Sequence, residues 1–208
     1  MAKKLNATLV DWSGGRLLYR IHPSIYRPSQ FNPARTGSAR FSPLVAADGS
    51  VIPTLYAGTT VDCALMETVF HEVPYGDGFK TISKSAHIAR RVLSSLRFQG
   101  KLRLIDLRSI ALRKLGIARS ELIDTDGSQF DRTRSIAWTL YEQNEEAQGL
   151  IWVSRQDDQA QALVLFEDRF PKAPFTIGFD SRTLLLSDES PCEEVVDLAR
   201  RLGVLIVP

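Results

Sequence analysis

At 208 residues the chain is long enough for one well-buried core, and 44% hydrophobic with 24% charged residues is ordinary for a globular protein. A formal charge of +2, with no long block of like charges, argues against non-specific nucleic-acid binding and against a basic arm or acidic tail. The two cysteines, Cys63 and Cys192, lack metal-type spacing, and His22, His71 and His87 are scattered, so a zinc site has weak support.

The start, MAKKLNATLVDWSGG, carries basic residues but no apolar run of signal-peptide length. No stretch approaches the roughly 20 apolar residues of a membrane span. A reduced, cytoplasmic protein is expected, its cysteines ordinary core or surface residues. GRLLYRIHP (15–23) alternates as a strand, with Leu17, Tyr19 and Ile21 on one side and Arg16, Leu18, Arg20 and His22 on the other. A long segment rich in Pro, Ser, Gly and Asn follows, of the kind that often carries function. VIPTLYAG then predicts a short strand near Thr54–Ala57.

TTVDCALMETVFHE predicts a helix capped by Thr59 or Thr60, the first with capping-box spacing to Asp62. Val61, Leu65, Met66, Val69, Phe70 and Val73 fall on one face at 100° per residue. Cys63, Glu67 and His71 fall on the opposite side, where Glu67 can face solvent or a cleft and His71 can pair with it. HIARRVLSSLRF (87–98) and KLRLIDL (101–107) read as a hairpin turning at Gln99-Gly100. Short helices are expected around 108–115 and 118–123, and a long one in 128–146 with Ile136, Trp138 and Leu140 as core candidates. GLIWVSR (149–155) and QALVLFE (161–167) form a second expected hairpin. A helix capped at Ser187 or Ser190 runs to about Leu202, and VLIVP closes the chain; both read as structural. Without βαβ alternation or internal repeats, the class is α+β, mostly antiparallel, in a single domain spanning 1–208.

P-loop, Rossmann, nucleophile-elbow and HExxH signatures are absent from the sequence. What remains is a scattered set: Arg20, Arg40 in GSARFSP, Tyr56 in TLYAG, Glu67, and Ser154 in IWVSR. The order LYRI … GSARFSP … TLYAGTTVDCALMETVFHE … GLIWVSRQ, over about residues 15–167, resembles the RES domain family, the toxins of Xre–RES toxin–antitoxin pairs. GSARFSP stands where the family usually has GGRWN, and VS stands where it commonly has PS.

The resemblance implies an ADP-ribosyltransferase-like fold and a bacterial toxin that consumes NAD⁺ by hydrolysis, phosphorolysis or ADP-ribosyl transfer. It implies no cofactor beyond NAD⁺ as substrate, and neutralisation by an Xre-type helix-turn-helix antitoxin. Cleaving the nicotinamide–ribose bond builds positive charge on the sugar, which a carboxylate stabilises; Glu67 is the acid of the set. Arg20 and Arg40 would grip the pyrophosphate, Tyr56 would stack on nicotinamide, and Ser154 would donate to a ribose hydroxyl or phosphate. The competing expectation is a non-enzymatic module that acts by occupying a protein partner.

Overall fold

Alternating burial defines the first long strand. In the computed structural model, which describes residues 4–37, 39–178 and 181–208, strand β1 (Leu9–Trp12) leads into β2 (Leu17–Pro23). Leu18, Arg20 and His22 are all buried on one side of β2, while Ile21 on the other side joins a separate cluster. The long loop that follows includes a small ribbon, β3 (Leu44–Val45) with β4 (Val51–Ile52), before β5 (Thr54–Gly58). Helix α1 (Val61–Met66), β6 (Lys80–Ser83), β7 (Arg91–Phe98) and β8 (Leu102–Asp106) come next. Helices α2 (Ser109–Leu115), α3 (Arg119–Leu122) and α4 (Phe130–Gln143) precede the hairpin of β9 (Gly149–Val153) and β10 (Gln161–Phe166). Short strands β11 (Phe175–Ile177) and β12 (Arg182–Thr183), helix α5 (Glu193–Leu202) and β13 (Val204–Val207) complete the described chain.

The main sheet runs β1-β8-β9-β10-β5-β2-β7-β11, with β12 also paired to β7, and is antiparallel except at β8–β9. Its connections force it to curl. Five strand spacings separate β1 from β2, about 24 Å in a flat sheet at ~4.8 Å per strand. The chain between Trp12 and Leu17 reaches only about 17 Å. The same mismatch holds between β7 and β8. Both short connections therefore bring the two halves of the sheet face to face, and they touch. A Cβ on Gly14 would lie 2.2 Å from the Gly100 carbonyl oxygen, and the Gly15 N–H donates to the Phe98 carbonyl at 2.8 Å. Leu18, Leu55, Leu96, Leu104, Ile151 and Leu163 fill the interior so enclosed.

This geometry corrects one expectation. β7 and β8 are not a hairpin, because β7 pairs with β2 over seven residues and β8 with β1 and β9. The Gln99-Gly100 turn carries the chain across the gap between sheet halves instead. The 149–167 hairpin, the two short helices and α4 form where their sequence patterns place them. Leu140 is fully buried, and Ile136 and Trp138 pack partly buried against the same cluster.

Helix α1 is shorter than its apolar periodicity suggests. Thr60 is its cap, its hydroxyl accepting from the Cys63 N–H at 3.0 Å, whereas the Thr59 hydroxyl accepts from Gln161 N across the β10 edge. The helix stops because its last carbonyls are taken: the Thr68 hydroxyl donates to Ala64 O at 2.5 Å, and Leu65 O accepts from the N–H groups of Val69 and Phe70. Val69 and Phe70 still reach the core, but through a tight turn rather than a continued helix face. Gly58 makes the entry possible, since a Cβ there would stand 2.9 Å from Cys63 Sγ and 3.0 Å from Ala64 N. Gly58→Val is expected to push α1 off the sheet and destabilise the fold by about 3 kcal/mol or more, read as a lowered midpoint in urea unfolding.

The amino-terminal end of α5 also differs from expectation. Cys192, not Ser187 or Ser190, is its N-cap, and no side chain bonds there. Its Val195, Leu198 and Ala199 pack against Ala64, Leu65 and Phe70, and Arg201 bonds Asp62 at 2.7 Å. β13 then lies parallel to β6. The carboxy-terminal unit thus braces the helix that precedes Glu67.

Candidate active site

Glu67 occupies the C-cap position of α1, its N–H bonded to Cys63 O at 2.9 Å. The cap leaves the helix direction free to change, so the side chain leaves the apolar stripe and enters a cleft of about 720 Å³. Arg20, Arg40 and Tyr56 border the same cleft. Three of these residues come from segments far apart in the chain: β2, the loop after it, and β5. The curl of the sheet and the short α1 bring them together.

Ser154 stands beside Glu67 and is not among the residues that border the cleft. It is fully buried, its hydroxyl accepts from the N–H groups of Gln156 and Asp157 at 3.0 and 3.1 Å, and it donates to Glu67 Oε1 at 2.5 Å. A hydroxyl has one proton, and this one is spent on the carboxylate. Ser154 therefore fixes the orientation of Glu67 from behind. His71 also departs from expectation: it bonds Glu72 at 2.9 Å instead of Glu67, because α1 has ended before it. Cys63 lies behind the carboxylate, fully buried, not on an exposed face. Burial, with the Glu67 charge adding to it, pushes its thiol up to about 12, so it stays protonated and inert.

Two guanidinium groups are built into the cleft wall. Arg20 is 6% exposed, and its Nη1 donates to the carbonyls of Pro28 and Gln30 at 2.8 and 2.7 Å. Burial pulls its pKa down to about 10. Arg40 is 7% exposed, lies over the Phe130 ring at 5.1 Å, and donates to Thr125 O at 3.1 Å and to the Thr125 hydroxyl. Burial holds it below the ordinary arginine value, and the Glu67 charge opposes that fall. Among the described residues neither guanidinium has a carboxylate ion-pair partner. Buried guanidinium charge without a carboxylate ion-pair partner favours a bound anion.

Tyr56 stands edge-on to Trp152 with ring centroids 6.4 Å apart, and its hydroxyl accepts from the Phe41 N–H at 3.0 Å. Burial pushes that phenol up to about 12, so it remains a neutral donor at any physiological pH. The bond ties β5 to the loop that holds Arg40. His22, beside Arg20, is neutral as well: burial lowers its pKa, and its two ring nitrogens face Ser94 Oγ at 2.9 Å and Pro23 O at 3.0 Å. It has no lone pair free to act as a base. Among the described residues no group of three or more His, Cys, Asp or Glu is placed to hold a metal ion.

Sequence reading passed over the seat of Arg40. Thr125 lies 85 residues away from it, in an irregular connection with no motif. Arg155 donates to the same Thr125 carbonyl at 2.6 Å, and its position immediately after Ser154 was the one available signal.

Comparison with known proteins now bears on this site. A family model described as RES domain matches residues 17–185. The chain belongs to the RES domain family. That span holds Arg20, Arg40, Tyr56, Glu67 and Ser154, and it ends before α5. Among solved structures, a chain in the crystal structure of the M. tuberculosis MbcT–MbcA toxin–antitoxin complex is similar, with a TM-score of 0.57 at 16% identity over 85% of this chain and 86% of that one. At that identity the likeness is one of fold: a mixed, mostly antiparallel sheet with several helices, as expected for this RES domain. A search of curated proteins gives no match. No helix among the described residues is long and apolar enough to cross a membrane.

Proposed function

We propose that this RES domain is a toxin that cleaves the nicotinamide–ribose bond of NAD⁺. One observation carries the reading: a carboxylate clamped at 2.5 Å by Ser154 shares a single cleft with two buried guanidiniums that lack carboxylate ion-pair partners among the described residues. Glu67 would face the anomeric carbon and stabilise the positive charge that grows as nicotinamide departs. Arg20 and Arg40 would hold the pyrophosphate, whose two negative charges match theirs. Tyr56 would wall the nicotinamide end, where Trp152 backs it.

The bond broken is C1′–N1 of the nicotinamide riboside, and its electron pair leaves with neutral nicotinamide. The ribosyl cation is then captured by water, phosphate or a protein side chain. A cognate antitoxin, of the helix-turn-helix kind that the family resemblance implies, would hold the enzyme silent; the complex to which the solved relative belongs supports such pairing.

The test is direct. Purified protein incubated with NAD⁺, alone, with phosphate and with candidate protein acceptors, is expected to release nicotinamide, and the co-product identifies the acceptor. No nicotinamide in any of these mixtures would reject the enzyme and favour the protein-binding module.

A further inference from the structure

The segment 26–32 separates two cavities. Tyr26 and Asn32 border the cleft that holds Glu67. Between them, Arg27, Ser29, Gln30 and Phe31 border a second cavity of about 640 Å³, whose other wall is drawn from the segment 167–174. Pro28 and Gln30 meanwhile give their carbonyls to Arg20 at 2.8 and 2.7 Å. One stretch of backbone thus lines one cavity and seats a guanidinium of the other.

The second cavity has the chemistry of a small-molecule site. Its volume lies within the usual range of roughly 300–1,000 Å³. Its apolar part is made of flat groups. Phe31 and Phe170 stand with ring centroids 5.7 Å apart, and Pro171 and Pro174 border the same space. Phe31 is buried and Phe170 only half-buried, so one more planar ring can extend the aromatic cluster. The charged groups on the cavity wall are Arg27 and Lys172 against Glu167. None of the three has an ion-pair partner among the described residues. Two cations against one carboxylate favour an anion.

Both walls are fixed by the chain itself. Gln30 N–H donates to Arg27 O at 3.0 Å, and the Gln30 side-chain oxygen accepts from Arg27 N–H at 3.1 Å. Opposite, Glu167 N–H donates to Pro53 O and Phe170 N–H donates to Glu167 O, both at 3.0 Å. Ala173 holds a left-handed φ of 53°, a conformation that alanine keeps where the surrounding structure imposes it.

We propose that this cavity is a second binding site, for a small aromatic anion, and that its occupant tightens the hold of Arg20 on a ligand in the cleft. The ring lies against Phe31 and Phe170, and the anionic group meets Arg27 and Lys172. An occupant that stiffens the segment 26–32 also stiffens the two carbonyls that seat Arg20, and a preorganised guanidinium loses less freedom when it binds. The coupling rests on the reading of the cleft as an NAD⁺ site; the binding does not.

The test titrates phenyl phosphate, benzoate and inorganic phosphate into the whole protein by calorimetry. Phenyl phosphate is expected to bind about 10-fold more tightly than inorganic phosphate, because only it buries a ring. Its affinity should fall about 10-fold in Arg27→Ala and in Lys172→Ala, the effect of losing a charge-assisted contact. Arg40→Ala, which disables the cleft, should leave it unchanged. Benzoate that binds as well as phenyl phosphate assigns a carboxylate ligand, and weaker benzoate assigns a phosphorylated one; either supports the site. Equal affinity for inorganic phosphate, or a loss in Arg40→Ala in place of the other two variants, overturns it. Saturating phenyl phosphate should in turn tighten ADP-ribose about 5-fold, with the reciprocal effect on phenyl phosphate required by linkage. Unchanged or weakened ADP-ribose overturns the coupling. A protein that binds phenyl phosphate as described but no ADP-ribose rejects the reading of the cleft, and the coupling falls with it while the second site stands.

Discussion

Glu67→Gln is expected to cut kcat for nicotinamide release by about 10³-fold while leaving the fold and the cleft unchanged. The glutamine has the same shape, and its amide oxygen can still accept the Ser154 hydroxyl, which now donates at 2.5 Å. What is removed is one negative charge. Opposite charges about 4 Å apart at an effective dielectric near 20 attract by about 4 kcal/mol, and each ~1.4 kcal/mol is a factor of ten in rate. Because the ribosyl charge exists in full only near the transition state, the loss falls on kcat and leaves KM little altered. Ser154→Ala gives the graded companion to this result. The charge stays but its clamp is gone, and the Gln156 and Asp157 N–H groups lose an acceptor, so a fall of roughly 10-fold is expected. Equal turnover by wild type and a folded Glu67→Gln variant would remove the mechanism.

Arg40→Ala is expected to lower kcat/KM for NAD⁺ by about 10²- to 10³-fold, the range for deleting a buried charged contact to phosphate. The side chain is sandwiched between the Phe130 ring and the Thr125 carbonyl, with no rival carboxylate among the described residues to hold it away from substrate. Arg155 shares that carbonyl, so the seat is not left empty when Arg40 is removed, and the fold should survive. Arg40→Lys restores the charge but not the planar fork, and should recover only part of the loss. Direct titration with ADP-ribose separates the effect on binding from that on chemistry: affinity should drop in Arg40→Ala and hold in Glu67→Gln.

Strands and hairpins with local partners were legible in the sequence, and those with distant partners were not. Alternation located β2, the run VIPTLYAG located β5, and the polar turn between two apolar runs located β9 with β10. Gln99-Gly100 has the chemistry of a hairpin turn, yet β7 and β8 part there because each finds a longer ladder elsewhere. A turn dipeptide reports local backbone preference and says nothing of which strand lies alongside. The site shows the same division. Glu67 could be read as lying off the apolar stripe, and Arg20 as sharing a strand face with His22. The seat that Thr125 gives Arg40, and the diversion of the Ser154 proton to a carboxylate, are tertiary facts without sequence periodicity. The length of α1 was misread for a related reason: its apolar spacing continues to Val73, but Thr68 competes for the Ala64 carbonyl and ends the helix early.

That early ending puts a glutamate at the carboxy-terminal pole of α1, where the aligned peptide dipoles already concentrate partial negative charge. Anions are disfavoured at this pole, by about 0.3–1 kcal/mol for an exposed group. The Ser154 hydroxyl and the attraction between Glu67 and Arg40 offset that cost, so the pole of this short helix accepts a carboxylate through groups that the rest of the fold carries to it.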